Sequence, residues 1–237
     1  MANAEGAKPG SRKKLVIAID GPAGSGKSTL AALLARRYNY TNIETGAMYR
    51  ALALKAIESS VPLDEGKRLA ALAQQSKIEL VPNPEGNRVL LDGVDVSERL
   101  RSPEVTESAS RVSVHPEVRE WMVASQRRMG ADGGIVMEGR DIGTKVFPDA
   151  EVKIFLDAAP EVRGTRRFLQ SPAAAEQESA VLEELRARDQ RDRTRANSPL
   201  IPAPDAVQID STYMTLDQVL ARAVELIEAK LGSLSAK

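Results

Sequence analysis

The chain has 237 residues, 42% of them hydrophobic, and its 33 basic and 33 acidic side chains cancel to no formal net charge. Such a length holds one large domain with inserted subdomains, and the charge balance argues against a general nucleic-acid or membrane-surface binder. There is no cysteine and a single histidine, His115, which excludes disulfides, thiolate metal sites and a cysteine nucleophile and argues against a histidine triad.

The polar opening has a basic cluster and no apolar run, so 1–13 reads as a disordered tail and not a signal peptide. No stretch reaches the roughly 18 apolar residues of a membrane span. With the lack of disulfides, this points to a cytoplasmic protein.

Leu15 to Asp20 is a short branched apolar run followed at once by glycine, the pattern of a buried parallel strand. Lys27 to Tyr38 then shows leucines at helical spacing. A second strand is expected near Ile43 and a helix from Ala47 to Ser59. The next stretch differs. A helical segment from Lys67 to Ser76 precedes two strand-like runs, Ile78 to Val81 and Arg88 to Leu91, joined by a turn from Pro82 to Asn87 and followed by a turn at Asp92-Gly93. This antiparallel patch reads as a subdomain inserted at 61–99. Pro103 to Met129 is helical with a break at His115-Pro116. Strands are expected at Ile135–Met137, Val152–Leu156 and Val207–Ile209. Helices are expected at Pro160–Leu169, Gln177–Arg195 and Leu216–Leu231. A turn at Ser171-Pro172 and an alanine-rich helix start from Ala173 separate the first two. The fold class is α/β: a parallel sheet flanked by helices, with core segments 14–60, 100–160 and 196–232.

The strongest motif is Gly-x-x-x-x-Gly-Lys-Ser, at Gly21, Gly26, Lys27 and Ser28. Gly21, Pro22, Ala23, Gly24, Ser25 and Gly26 supply a nest of backbone N–H groups for phosphates, and the helix that follows adds its partial positive charge. Lys27 reaches the β- and γ-phosphates, and the Ser28 hydroxyl ligates the Mg²⁺ that accompanies ATP. Thr29 occupies the place where a dinucleotide fingerprint needs glycine or alanine, so that rival pattern fails.

A phosphate-bearing acceptor needs a second anion site, and the forked guanidinium of arginine suits it. Candidates are Arg50, Arg140 and the run from Arg186 to Arg195, which holds five arginines and two aspartates. On a helix Arg188, Asp192 and Arg195 share a face, with Arg191 beside them. A solvated, salt-bridged helix is the ordinary fate of such a run. Exclusive use of arginine favours a phosphate-facing lid over 161–195 that closes over the reactants.

Four separated motifs make the chain resemble the cytidylate kinases of bacteria, within the nucleoside monophosphate kinases. They are Ile-Asp-Gly-Pro-Ala-Gly-Ser-Gly-Lys-Ser, Thr-Gly-Ala-Met-Tyr-Arg, Glu-Gly-Arg-Asp-Ile-Gly-Thr with Val-Phe-Pro-Asp-Ala, and Arg-Asp-Gln-Arg-Asp-Arg-Thr-Arg. The resemblance spans about Lys14 to Leu231. It implies phosphoryl transfer from ATP to CMP or dCMP by a monomer, with Lys27, Arg140 and Arg195 catalytic. It further implies that Thr45, Tyr49 and Arg50 seat the monophosphate, whose phosphate Arg50, Arg140 and Arg195 hold. Ser110, Arg119 and Asp141 would read the cytosine edge, and Arg188 and Asp192 the ribose. Arg163 and Arg167 would line the ATP side, and the 61–99 insert would bind the monophosphate. Thr45 stands where many relatives have serine, and Glu44 and Glu138 where relatives often have aspartate. A kinase for another small acceptor, such as UMP or AMP, is the alternative. A nucleotide switch is disfavoured because the chain lacks a guanine-reading Asn-Lys-x-Asp.

Overall fold

A computed structural model describes residues 14–82, 87–169 and 178–235. The expected tail over 1–13, most of the turn after Pro82, and the Ser171-Pro172 turn with its alanine-rich sequel lie outside the described residues.

The chain opens with β1 (Val16–Asp20), α1 (Lys27–Tyr38), β2 (Thr41–Glu44) and α2 (Thr45–Glu58). Next come α3 (Gly66–Gln75), β3 (Ile78–Val81), β4 (Arg88–Leu91) and β5 (Val94–Asp95), then a 3₁₀ turn at Arg99–Arg101. Helices α4 (Pro103–Val112) and α5 (Pro116–Met129) lead to β6 (Ile135–Gly139), a single π turn (Ile142–Val146) and β7 (Val152–Asp157). The chain closes with α6 (Pro160–Leu169), α7 (Glu178–Thr194), β8 (Val207–Asp210) and α8 (Leu216–Ser235).

The main sheet has the order β2-β6-β1-β7-β8, and every pair in it is parallel. Both faces are covered, which is why β1 is apolar from Val16 to Ile19 and buried at every position, the closing Asp20 included. Ile17, Ile19, Ile154 and Leu156 pack with Leu30 and Leu34 of α1 and with Ala223 and Ile227 of α8. On the other face Val16, Ala18, Ile135 and Met137 pack against Ile142, Val146 and Phe147 of the π turn and its sequel. The expected parallel core is present.

The three-stranded antiparallel sheet, β3-β4-β5, buries Ile78, Val89 and Leu91 in a separate cluster. That cluster also contains Met48 and Leu52 of α2, Leu69 of α3, Val105 and Val112 of α4, and Met122 of α5. The small sheet is therefore packed onto the helices that precede and follow the 61–99 segment.

Local chemistry explains the helix boundaries. Ser102 accepts the Val105 N–H at 3.3 Å, with Pro103 opening α4. His115, held extended at ψ 123 by the proline after it, separates α4 from α5. Helix α2 starts at Thr45, two residues before the expected Ala47, because it follows β2 without a loop. Among the described residues no helix is long and apolar enough to cross a membrane.

Candidate active site

Several candidate side chains lie at or just beyond the carboxyl ends of the parallel strands, where open α/β sheets place ligands. β1 runs straight into the glycine loop. At Gly21 a Cβ atom would lie 2.0 Å from the Leu156 carbonyl oxygen of β7, so no larger residue fits the close approach. Gly26 precedes α1 with φ 97, a left-handed conformation that leaves the helix's first N–H groups facing the loop. Lys27 is buried, and its Nζ donates to the Pro22 carbonyl at 2.6 Å and to Ser25 Oγ at 3.4 Å. Burial pushes the Lys27 ammonium down to about 7, with nearby Arg140 adding to the effect and Glu138 opposing it.

Ser28 Oγ donates to Glu138 Oε1 at 2.9 Å. Glu138 lies opposite Ile19 in the pairing of β6 with β1, and burial raises its pKa. A hydroxyl and a carboxylate beside a phosphate loop form the hard oxygen set that Mg²⁺ prefers. The residues therefore fit the ion. The hydroxyl of Ser28 is the oxygen expected from the sequence, and Glu138, which it meets, entered there only as a departure from aspartate.

Arg140 and Asp141 follow β6. Arg140 Nε donates to Asp192 Oδ2 of α7 at 2.9 Å, and Arg195 Nη1 lies 3.5 Å from Asp192 Oδ1. Although burial opposes it, Arg140, Arg188 and Arg195 hold the Asp192 carboxyl below its ordinary range. Arg188 goes the other way: burial and then Arg140 bring it down to about 10, with the Arg50 and Arg167 charges also contributing. One carboxylate thus sits among three guanidinium ions.

Arg119 and Asp141 are both buried and form a direct ion pair. Arg119 also donates to the Ser113 carbonyl at 3.1 Å and places its guanidinium 5.6 Å from the centre of the Tyr49 ring. Burial pushes the Tyr49 hydroxyl up to about 12. Thr45 Oγ1 donates to the Glu138 carbonyl at 2.8 Å, tying the start of α2 to β6. Arg50 pairs with Glu44 at 2.5 Å.

Among the described residues, buried atoms here without a partner include Ser110 Oγ and Arg119 Nε, and on α7 Arg188 Nε, Asp189 Oδ1, Arg191 Nε and, just after it, Arg195 Nη2. Buried polar groups are rarely left so, and a polar ligand that satisfies them is the simplest account. Arg163 is different. Its guanidinium donates to the carbonyls of Ala158 at 2.8 Å and Ala23 at 3.1 Å, and pairs with Asp189 of α7 at 2.6 Å. It reaches the phosphate loop from the flank and is already fully engaged. Arg167 is exposed.

Residues 17–229 match the family model described as cytidylate kinase. The chain belongs to the cytidylate kinase family. Among curated relatives, the cytidylate kinase of Desulfitobacterium hafniense (strain Y51) is 46% identical over 222 residues, 93% of this chain and 95% of that one. That of Syntrophotalea carbinolica (strain DSM 2380 / NBRC 103641 / GraBd1) is 48% identical over 217 residues, 91% and 92% of the two chains. A solved structure of an uncharacterized protein from Eubacterium ventriosum ATCC 27560 aligns with a TM-score of 0.50 at 12% identity, covering 91% of this chain and 99% of that one. Identity that low bears on the fold alone.

The glycine loop after β1 and helix α7 are linked through Arg163, which donates to the Ala23 carbonyl and pairs with Asp189. Sequence reasoning missed Asp20. Burial pushes its carboxyl up to about 7, against the pull of the Gly143 and Ile142 N–H groups. The available signal was an acidic residue closing an otherwise apolar strand, next to the loop.

Proposed function

We propose that this chain transfers the γ-phosphoryl group of ATP to CMP, and to dCMP, giving CDP and dCDP. The observation that carries the reading is the group of buried, incompletely paired arginines opposite the phosphate loop, in a chain of the cytidylate kinase family.

The loop from Gly21 to Ser28, with Thr29, holds the triphosphate. Lys27 exchanges the Pro22 carbonyl for the β- and γ-phosphate oxygens. Ser28 and Glu138 would supply protein oxygens to Mg²⁺, which when bound would neutralise phosphate charge. Arg50, Arg140 and Arg195 hold the acceptor phosphate, and Thr45 and Tyr49 seat the monophosphate. Arg188 and Asp192 take the ribose. An acceptor oxygen, already anionic, attacks the γ-phosphorus in line and ADP leaves, so no general base is required. Arg163 lines the ATP side by bracing the loop, and Arg167 lines it directly.

Cytosine presents an amine donor beside two acceptors. Asp141 accepts from the amine, and Arg119 and Ser110 serve the acceptors. Uracil reverses part of that pattern and leaves buried groups mispaired. Segments 14–60, 100–160 and 196–232 act as the core, 61–99 as the monophosphate-binding insert and 161–195 as the lid. The working unit is a monomer, and a cysteine-free chain suits the reducing cytoplasm.

A coupled assay of ADP release across CMP, dCMP, UMP and AMP tests the reading. Turnover is expected with CMP and dCMP, and a folded Lys27→Ala variant should lose it by orders of magnitude. A preference for UMP or AMP would refute the roles given to Ser110, Arg119 and Asp141.

A further inference from the structure

The Asp20 carboxylate has no task in the reaction described above, yet it is buried between the two halves of the site. It is the last residue of β1, so the phosphate loop begins at the next position. Its Oδ1 accepts the Ile142 N–H at 2.8 Å and its Oδ2 the Gly143 N–H at 2.7 Å. Those N–H groups open the π turn, where a helical turn has no internal partners for its donors. The turn's own bonds run from the Lys145 and Val146 N–H groups to the Asp141 carbonyl, at 2.8 and 3.2 Å, and from Phe147 to Ile142 at 2.7 Å. Asp20 therefore caps, from another strand, the turn that starts at Asp141.

We infer that Asp20 is a positioning residue for the acceptor nucleotide: it fixes the Arg140–Asp141 corner relative to the phosphate loop. The inference rests on the proposed roles of Arg140 and Asp141. Sheet pairing sets the chain only as far as Gly139, which lies opposite Asp20. Arg140 and Asp141 then leave the strand, and Asp141 takes φ −150 and ψ 25, outside helical and extended geometry. Two backbone N–H bonds to a single carboxyl, just beyond the corner, hold it. The fit is close. A Cβ atom at Gly143 would lie 3.2 Å from Lys153 Cδ and 3.3 Å from Asp20 Oδ2.

Asp20→Asn keeps the shape but offers one oxygen and an amide NH₂ to two N–H donors. Gly143→Ala leaves Asp20 in place and crowds the same contact. Kinetics with each substrate varied in turn, and thermal unfolding, are measured for both variants and the wild type. Asp20→Asn is expected to raise KM for CMP about tenfold while KM for ATP stays within about twofold. Gly143→Ala should give a smaller change in the same direction, and it decides the matter if Asp20→Asn does not fold. Equal movement of both KM values, or a loss of thermal stability with neither moved, would reduce Asp20 to a structural cap and overturn the inference. A wild-type protein inactive on CMP would overturn the proposed function instead, and the control separates that failure from the first.

Discussion

Arg191 of α7 meets Glu107 of α4 through two parallel hydrogen bonds, Nη1 to Oε1 at 2.7 Å and Nη2 to Oε2 at 2.9 Å. The pair joins the proposed lid to the helix that bears Ser110. Both side chains are more than a third exposed, so screening by water limits the pair to at most about 1 kcal/mol. Glu107→Gln should raise KM for CMP by about two- to fivefold with little change in kcat, and the difference should shrink in high salt. Arg191 holds the Glu107 carboxyl below its ordinary range. The contribution is therefore present above the unfolded pKa and is lost as pH falls through the folded one. Steady-state kinetics at two ionic strengths check this.

Lys27 makes ATP binding a proton-linked event. Its ammonium stands at about 7 in the free protein, and a bound triphosphate restores the charged form. Above neutral pH, binding must take up a proton, approaching one per ATP near pH ~9, and affinity should fall as pH rises. Calorimetry in two buffers of different ionisation enthalpy measures the uptake. Lys27→Met should abolish it, and equal enthalpies in both buffers for the wild type would contradict the assignment.

Ser110→Ala should separate stability from recognition. The hydroxyl is buried without a partner, so its removal relieves an unsatisfied group and leaves the melting temperature unchanged or raised. If Ser110 reads the base, the same variant weakens CMP binding by about five- to a hundredfold, from 1–3 kcal/mol. Parallel melting curves and CMP titrations test the opposed signs.

Arg163→Met strands the Asp189 carboxylate in the interior and cuts two bonds to backbone carbonyls. Breaking one partner of a buried pair costs about 3 kcal/mol or more. In a domain of this size that lowers the melting temperature by about 6–12 °C. Arg163→Lys should recover little, because an ammonium cannot span the fork. Differential scanning calorimetry distinguishes the two variants.

The core was legible because its signals are local. An apolar run before a glycine loop, and leucines at helical spacing after it, need no tertiary information. Strands β3 and β4 were bounded correctly by the residues around them. The π turn was not legible: its donors are capped by Asp20, more than a hundred positions away in sequence. The two-residue β5 is too short to show alternation. The arginine run divides in a way that spacing alone does not disclose. Arg186 and Arg193 make exposed pairs with Glu161 and Asp157, as a solvated helix would, while Arg195 is buried with Asp192. The solvated-helix reading thus describes Arg186 and Arg193 but not Arg195. The resemblance gave Arg163 and Arg167 the same role, but only tertiary contacts commit the first to Asp189 and the loop.

Helix α2 begins with Thr45, carries Tyr49 and Arg50, and then passes through the small sheet's cluster with Ala51, Leu52, Ala53 and Leu54 all buried. The residues proposed to hold the acceptor therefore share one rigid rod with a hydrophobic cluster built from the small sheet and the helices around it. In a mutational scan scored by activity, truncations at Leu69, Val96 or Met122 would tilt that rod and register as substrate-affinity defects. A map of sensitive positions would thus draw a pocket much larger than the one that meets the nucleotide, and thermal stability recorded beside activity would be needed to find its true outline.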